Sequence, residues 1–355
     1  VINIDGQLIE VNLGKDVGAD DIESIEVWVR PREVKEVTMN PLPPYTTDTA
    51  LSDIVGRLKI SPVDAMAILQ DLFELGFITY HRTDSTRVSD VGIGVAKEYL
   101  ISKYGDLGKE LFHPRGWGTG GAHECIRPTR PADVETILRL INEGIIEPVK
   151  RLTKRHFIVY SMIFKRFIAS QMRPAKLLKQ FADIRVTVRL KNKEVLKYDV
   201  AIERYVDILD KGFLEINPIV KVLNKLKESI STYVPERDKD KVKIITKSSV
   251  PLYTEADLVK LMKERGIGRP STYAKIIDVL FRRYYVIRPR GRVHIVPTLL
   301  GEGVYKYLVE RYESLVSEER TKLLEEIMDS IEEGKLDYLA ILNVLNEELR
   351  KYDLL

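Results

Sequence analysis

The sequence predicts an α+β protein of several domains, and three observations predict it. Residues 1 to about 37 alternate apolar and polar, notably Ile25, Val27 and Val29 against Glu26, Trp28 and Arg30, the period-two pattern of half-buried strands. Two later stretches carry helix starts with matching stops. Ser61 before Pro62 with Asp64 is closed by Gly76, and Thr254 with Asp257 is closed by Gly266. Between strands and helices lies Asn40-Pro41-Leu42-Pro43-Pro44, a stiff linker, because each proline fixes φ and biases the preceding residue away from helix.

The bulk numbers bound the answer. A chain of 355 residues suggests two or three domains. It is 44% hydrophobic and 31% charged with a net charge of only +3, so a nucleic-acid surface would have to arise from local clustering. A single cysteine, Cys125, excludes a disulfide framework and a cysteine-based zinc site within the chain. No apolar run approaches the length of a membrane helix and no signal peptide opens the chain, which suggests a cytoplasmic protein. Abundant Lys, Glu and Arg with little Cys and Met suit a thermophile. There is no initiator Met, and Val1 to Val11 reads directly as a hairpin with Asp5-Gly6 at its turn, so a fragment is expected.

Each element follows in order. Val63, Met66, Leu69, Leu72 and Phe73 recur at helical spacing before Gly76. Next comes Phe77 to Asp90, FITYHRTDSTRVSD, a short β-prone run that turns polar. Ser89 and Asp90 cap a second helix that stops near Gly105, and GWGTGG (116–121) is a flexible loop leading to His123. A helix from about Pro131 to Asn142 closes this part. Residues 148–182 hold nine Lys or Arg and no acid. Their apolar positions suggest a long helix, whose basic residues form either a solvated face or a surface that follows a phosphate backbone. Strands through Ile184, Val186 and Val188, then 195–206, come next. After Gly266, Ser271 caps a helix through Tyr273, Ile276, Ile277 and Leu280, and YYVIRPRGRVHIVP reads as strand, tight Arg-Gly turn, strand. Two helices and a basic hairpin have the form of a winged helix-turn-helix. The tail from Glu310 is acidic, amphipathic helix.

The chemistry concentrates in the segment after Gly76. Tyr80 is a possible nucleophile, and alternation along an extended strand would place Arg82 on the same face. A phenol titrates near ~10, so it needs a nearby cation to favour the phenolate and to stabilise charge on an attacked phosphate. A lone tyrosine among 17 is ordinarily core or surface; the Arg at i+2 sharpens the signal only modestly. His123, in AHECIRPT after the glycine-rich loop, has Glu124 and Arg127 beside it and suits a phosphate or acid–base role, although single histidines are more often structural. Arg269, Ser271 and Thr272 stand at a helix start, whose unpaired N–H groups make a good phosphate site; plain capping is the ordinary alternative.

Four stretches in order resemble type IA DNA topoisomerases, in the version found in reverse gyrases: ITYHRTDST, GGAHECIRPTRP (120–131), KRFIASQMRPAK (165–176) and YTEADLVKLMKERGIGRPSTYAKIIDVLFRRYYV (253–286). The resemblance runs from about Pro43 to the end. It implies a toroidal, multi-domain architecture of mainly helical domains with a β-rich arch. The arch would be 1–46 plus 141–228, the tyrosine-bearing domain 47–140, and a winged-helix-like DNA-binding domain 229–355. It implies that Tyr80 attacks a single-strand phosphodiester and becomes a 5′-phosphotyrosyl ester, conserving bond energy so that resealing needs no ATP. Arg82 and His123 would be its catalytic partners, and Thr83, Asp84, Ser85, Glu124, Arg127, Arg269, Ser271 and Thr272 would contact DNA. Strand passage and religation would follow, with positive supercoiling of negatively supercoiled DNA if the chain belongs to a reverse gyrase.

The resemblance also marks what is missing. In the family a Toprim domain supplies the acidic cluster for Mg2+. The sole DxD here, Asp238 and Asp240, is interleaved with Lys239 and Lys241 and reads as a solvated loop. No GxxxxGK[ST] occurs, so ATP would act only through an absent helicase-like half. The alternatives are a non-catalytic single-stranded DNA-binding winged-helix module, which has no use for ITYHRTDST, and a tyrosine recombinase, which would want its tyrosine near the C-terminus.

Overall fold

The computed structural model describes every residue except 15–16, 119–122, 247–249, 291–292 and 353–355. The glycine-rich loop at 116–121 lies partly outside the described residues, and so does the expected turn at Gly291. The chain forms two compact units: 1–42 with 100–114 and 168–250, and 43–99 with 115–167 and 251–355.

The first unit is built on a hairpin and a long antiparallel sheet. Strands β1 (Ile2–Ile4) and β2 (Gln7–Ile9) are joined through Asp5 and Gly6, both at positive φ, the backbone that a two-residue turn of this hand requires. Strands β3 (Ile22–Met39), β4 (Ala175–Leu190), β5 (Val195–Asp210) and β6 (Ser229–Tyr233) lie in the order β5-β4-β3-β6. Val27 pairs with Val186 and Val29 with Ile184, so the predicted inward residues meet on one face. Ile2, Ile4, Ile9, Val242 and Leu226 pack on that face as the core. Arg204, buried, fixes the hairpin by donating to the Ile4 carbonyl (2.8 Å), the Gln7 amide oxygen (2.9 Å) and the Asn224 carbonyl (3.1 Å).

The second unit is mainly helical. It holds α1 (Thr47–Leu58), α2 (Pro62–Glu74) and the start of α3 (Asp90–Tyr104). The short α4 (Asp106–Leu111) belongs to the first unit. Then come α5 (Val134–Asn142) and most of α6 (Lys154–Ser170). The C-terminal part has α7 (Glu255–Glu264), α8 (Tyr273–Arg282), the strand pair β7 (Val286–Ile287) and β8 (Val296–Pro297), and α9 (Leu299–Val316), α10 (Glu318–Glu332) and α11 (Tyr338–Lys351). Capping follows the sequence where the signals are strong. The Ser61 and Thr254 hydroxyls accept from the Asp64 and Asp257 amides, and Gly76 and Gly266 take positive φ at the stops.

Three local expectations change. The run Phe77–Tyr80 is not a paired strand; it is irregular chain that bends at Phe77 and Thr79, with one bridge, Ile78 to Pro128. Ser271 does not cap α8; Thr272 is the N-cap residue, and its hydroxyl turns back to accept from the Arg269 amide at 2.8 Å. The basic stretch is not one long helix: α6 ends at Ser170 and β4 begins at Ala175, with Pro174 between them unable to continue a helix. On α6 itself, Lys154, Arg155 and Lys165 are exposed. Val159, Tyr160, Ile163, Phe164, Phe167 and Ile168 are buried, and Arg166 lies over the Tyr45 ring at 4.9 Å and donates to the Pro43 carbonyl at 2.6 Å.

Candidate active site

Tyr80 is mounted on irregular chain directly after α2. Gly76 ends that helix, and the chain then bends at Phe77, Thr79, His81 and Arg82 while exposure alternates: Tyr80, Arg82 and Asp84 are exposed, His81 and Thr83 buried. Tyr80 and Arg82 are both exposed, but on chain that bends at His81 and Arg82 and pairs in no ladder, not on the expected strand. What replaces the ladder is side-chain bonding from Thr79. Its hydroxyl donates to the Cys125 carbonyl at 2.7 Å and accepts from the Arg127 amide at 3.0 Å, while its own amide donates to the Arg127 carbonyl at 2.9 Å. This ties the tyrosine segment to residues 125–127 and brings His123 close.

The Tyr80 ring is 40% exposed and rests among three others. Phe73 of α2 meets it edge-on at 5.3 Å, His81 edge-on at 5.6 Å, and His123 stacks on it at 5.9 Å with 29° between the planes. Such contacts fix the ring's direction at little cost. Arg82 reaches toward Gln70 of α2, donating to Oε1 at 3.4 Å, and is otherwise open. Tyr80, Arg82 and His123 are all exposed, and the imidazole of His123 stacks on the Tyr80 ring. Phe73 and His81, which complete the aromatic seat, are not among the site residues the sequence suggests; Phe73 reads as an ordinary core position of an amphipathic helix.

His81 is fully buried, and neither ring nitrogen has a hydrogen-bond partner among the described residues. Burial, with a smaller contribution from the Arg82 charge, pulls its pKa down to about 4, so the imidazole is neutral. Cys125 is buried, and its thiol is pushed up to about 12 by that burial, so it is an inert packing residue.

The residues expected to touch DNA divide. Asp84 is exposed. Thr83 is buried, and its hydroxyl accepts from the Ser85 amide (3.0 Å); the Ser85 hydroxyl accepts from the Arg87 amide (3.1 Å), so both shape the loop. Glu124 and Arg127 depart from the expectation. Arg127 is buried and forks onto Glu124, Nε to Oε2 at 2.9 Å and Nη2 to Oε1 at 2.8 Å, with Nη1 on the Pro128 carbonyl. Ser89 Oγ donates to the same carboxylate at 2.8 Å. Burial raises the Glu124 carboxyl, but the bonds from Arg127 and Ser89 outweigh it and hold the pKa below the usual range. This pair closes the tyrosine loop onto the start of α3; its charges are spent inside the protein.

At the start of α8, Ser271 is exposed and Thr272 half-buried. Arg269 is partly exposed but not free: Nη2 meets Asp329 at 2.7 Å and Nε meets Glu325 at 3.0 Å, both on α10. Arg265 pairs with Glu318 of the same helix. The acidic tail therefore neutralises this arginine row, a partnership that local sequence gives no sign of. Tyr273, buried beside it, is pushed up to about 12, by burial first and then by the charge of Asp48, with Asp84 and Glu325 adding to it. Among the described residues no three His, Cys, Asp or Glu side chains converge as a metal ion requires. No helix among them is long and apolar enough to cross a membrane.

Residues 16–343 match the DNA topoisomerase family, and the chain belongs to that family, in its type IA branch. Its relatives there are reverse gyrases. It is 46% identical to the reverse gyrase of Pyrococcus furiosus over 333 residues, 92% of this chain and 26% of that protein. It is 45% identical to reverse gyrase 1 of Aquifex aeolicus over 92% of this chain and 27% of that one. Among solved structures it resembles full-length topoisomerase I of Thermotoga maritima, with TM-score 0.67 and 27% identity over 94% of this chain and 53% of the other. The chain spans about a quarter of the length of the reverse gyrases it matches.

Proposed function

We propose that this chain is the nucleophile-bearing part of a type IA DNA topoisomerase of the reverse-gyrase kind, which cuts one DNA strand, passes another through the break and reseals it. The observation that carries the reading is the exposed Tyr80 ring, held by Phe73, His81 and His123 beside an open Arg82. A phenol whose direction is fixed before substrate arrives spends little entropy on reaching an in-line attack.

Tyr80 Oη forms a bond to phosphorus and the bond from phosphorus to the 3′ oxygen breaks. The phenol gives up its proton and the leaving 3′ oxygen gains one. Arg82 stabilises the charge gathering on the phosphoryl oxygens, and His123, stacked against the nucleophile, serves the same phosphate or carries the proton. The steps run backwards for resealing, and the phosphotyrosyl ester stores the bond energy meanwhile. Arg269, Ser271 and Thr272 at the start of α8 hold the single strand, with Arg269 exchanging its carboxylate partners for phosphate. Mg2+ enters through a Toprim domain, and ATP through a helicase-like half, in other parts of the protein. Positive supercoiling of negatively supercoiled DNA in the cytoplasm of a thermophile follows from the same reading.

The test is covalent attachment to a labelled single-stranded oligonucleotide with Mg2+, resolved on a denaturing gel, with a Toprim-containing portion supplied. A Tyr80-dependent adduct is expected. Oligonucleotide binding with no adduct would make the chain a non-catalytic single-strand binder.

A further inference from the structure

The Tyr80 segment is fastened on both sides, and only one fastening lies near His123. On the far side, residues 81–83 are held by a single side chain from a different element. Thr47, the first residue of α1, is fully buried. Its hydroxyl lies 2.7 Å from the His81 carbonyl and 3.0 Å from the Thr83 carbonyl, and accepts from the Thr83 amide at 2.8 Å. Its own amide, one of the first-turn N–H groups that a helix leaves unpaired, donates to the Thr83 carbonyl at 2.8 Å. Bent chain with no ladder on this side leaves its polar backbone groups to be satisfied elsewhere, and Thr47 satisfies three of them.

We propose that Thr47 is a positioning residue for the nucleophile: its hydroxyl sets the backbone of residues 81–83 and through it the directions of Tyr80 and Arg82. The proposal rests on the reading of Tyr80 as nucleophile. The His81 carbonyl that Thr47 holds lies in the peptide unit joining His81 to Arg82, and the His81 ring meets the Tyr80 ring edge-on at 5.6 Å, so release of that unit would disturb Arg82 directly and Tyr80 through His81. α1 is itself a fixed platform, since Leu51 and Ile54 are buried and Ser52 Oγ donates to the Ala256 carbonyl of α7 at 3.3 Å. The hydroxyl touches no exposed surface, so it does not contact DNA.

Thr47→Val keeps the branched shape and removes the hydroxyl; Thr47→Ser keeps the hydroxyl and removes a methyl. Both would be made in the full-length protein with its Toprim portion, alongside wild type and Tyr80→Phe. Three quantities are read: the single-turnover adduct rate at saturating oligonucleotide, the oligonucleotide Kd, and hydrogen exchange of a peptide covering residues 79–86. For Thr47→Val the rate should fall about tenfold or more, as loss of bonds to buried groups implies. Its Kd should stay within about twofold, and exchange should rise in that peptide alone. Thr47→Ser should recover the rate to within about threefold. A Thr47→Val protein that cleaves at the wild-type rate overturns the proposal. Equal losses in both variants, or a uniform rise in exchange with matching loss of binding, overturn it too, by assigning Thr47 to general stability. Absence of any Tyr80-dependent adduct in wild type fails at the earlier step, overturning the nucleophile reading and this one with it.

Discussion

Replacing His81 by leucine should make the protein more resistant to acid. The wild-type imidazole is buried against Phe73 and Tyr80 with both nitrogens unpaired, and only its neutral form is tolerated there. Its pKa falls from 6.5 to about 4 on folding, with burial as the main cause, Arg82 adding to it and Glu74 opposing it. The unfolded chain therefore binds a proton that the folded chain refuses. Stability contributed by the neutral ring is whole above pH 6.5 and is lost as pH falls toward 4. The linkage relation puts this loss at about 2 kcal/mol at pH 5 and about 3 kcal/mol at pH 4, relative to pH 8. Carboxylates held low, such as Glu124, also lose stability on acidification, so the informative quantity is the difference between wild type and His81→Leu. Denaturant unfolding of both proteins at several pH values between 8 and 5 gives it. The two should lie close at pH 8, since exchanging an unpaired buried polar group for an apolar one of similar size costs little. They should then separate by about 2 kcal/mol at pH 5 in favour of leucine. Parallel curves, or a His81 ring that titrates near 6.5 by NMR, would refute the reasoning.

Other outcomes follow from the same geometry. Tyr80→Phe should abolish the covalent adduct and leave oligonucleotide affinity within about twofold, since it removes one exposed hydroxyl; an adduct retained on the gel would end the assignment. Arg127→Ala should cost about 3 kcal/mol of stability by stranding Glu124 beside Ser89, measured by denaturant unfolding. A variant that kept full stability but lost DNA affinity would return Arg127 to the DNA surface. Arg269→Ala should weaken single-strand binding and flatten its salt dependence by about one ion. Glu325→Gln with Asp329→Asn should strengthen binding, because those carboxylates occupy the guanidinium that a phosphate needs. Fluorescence titrations over a range of salt would detect either failure.

How much was legible depends on the range of the interaction. The strand face at Val27 and Val29, the Asp5-Gly6 turn and the caps at Ser61 and Thr254 are local matters of period, φ and hydrogen bonding within a few residues, and they could be read directly. Tyr80 and Arg82 were legible as exposed groups on either side of a buried residue, although the chain there bends and does not run as a strand. The break at Pro174 was also local and was passed over in favour of the apolar run around it.

Tertiary structure decided how the charges and polar groups are spent. Arg127 and Arg269 look alike in sequence, each a cation beside small polar residues. One is buried on Glu124, three residues away, and the other is held by carboxylates about 60 residues away on α10. Thr47 looks like any first-turn threonine until residues 81–83 lie against it. The sequence by itself determined which groups could do chemistry. The packing of distant segments decided which of them are held ready, because burial and hydrogen-bond partnership are properties of neighbours in space.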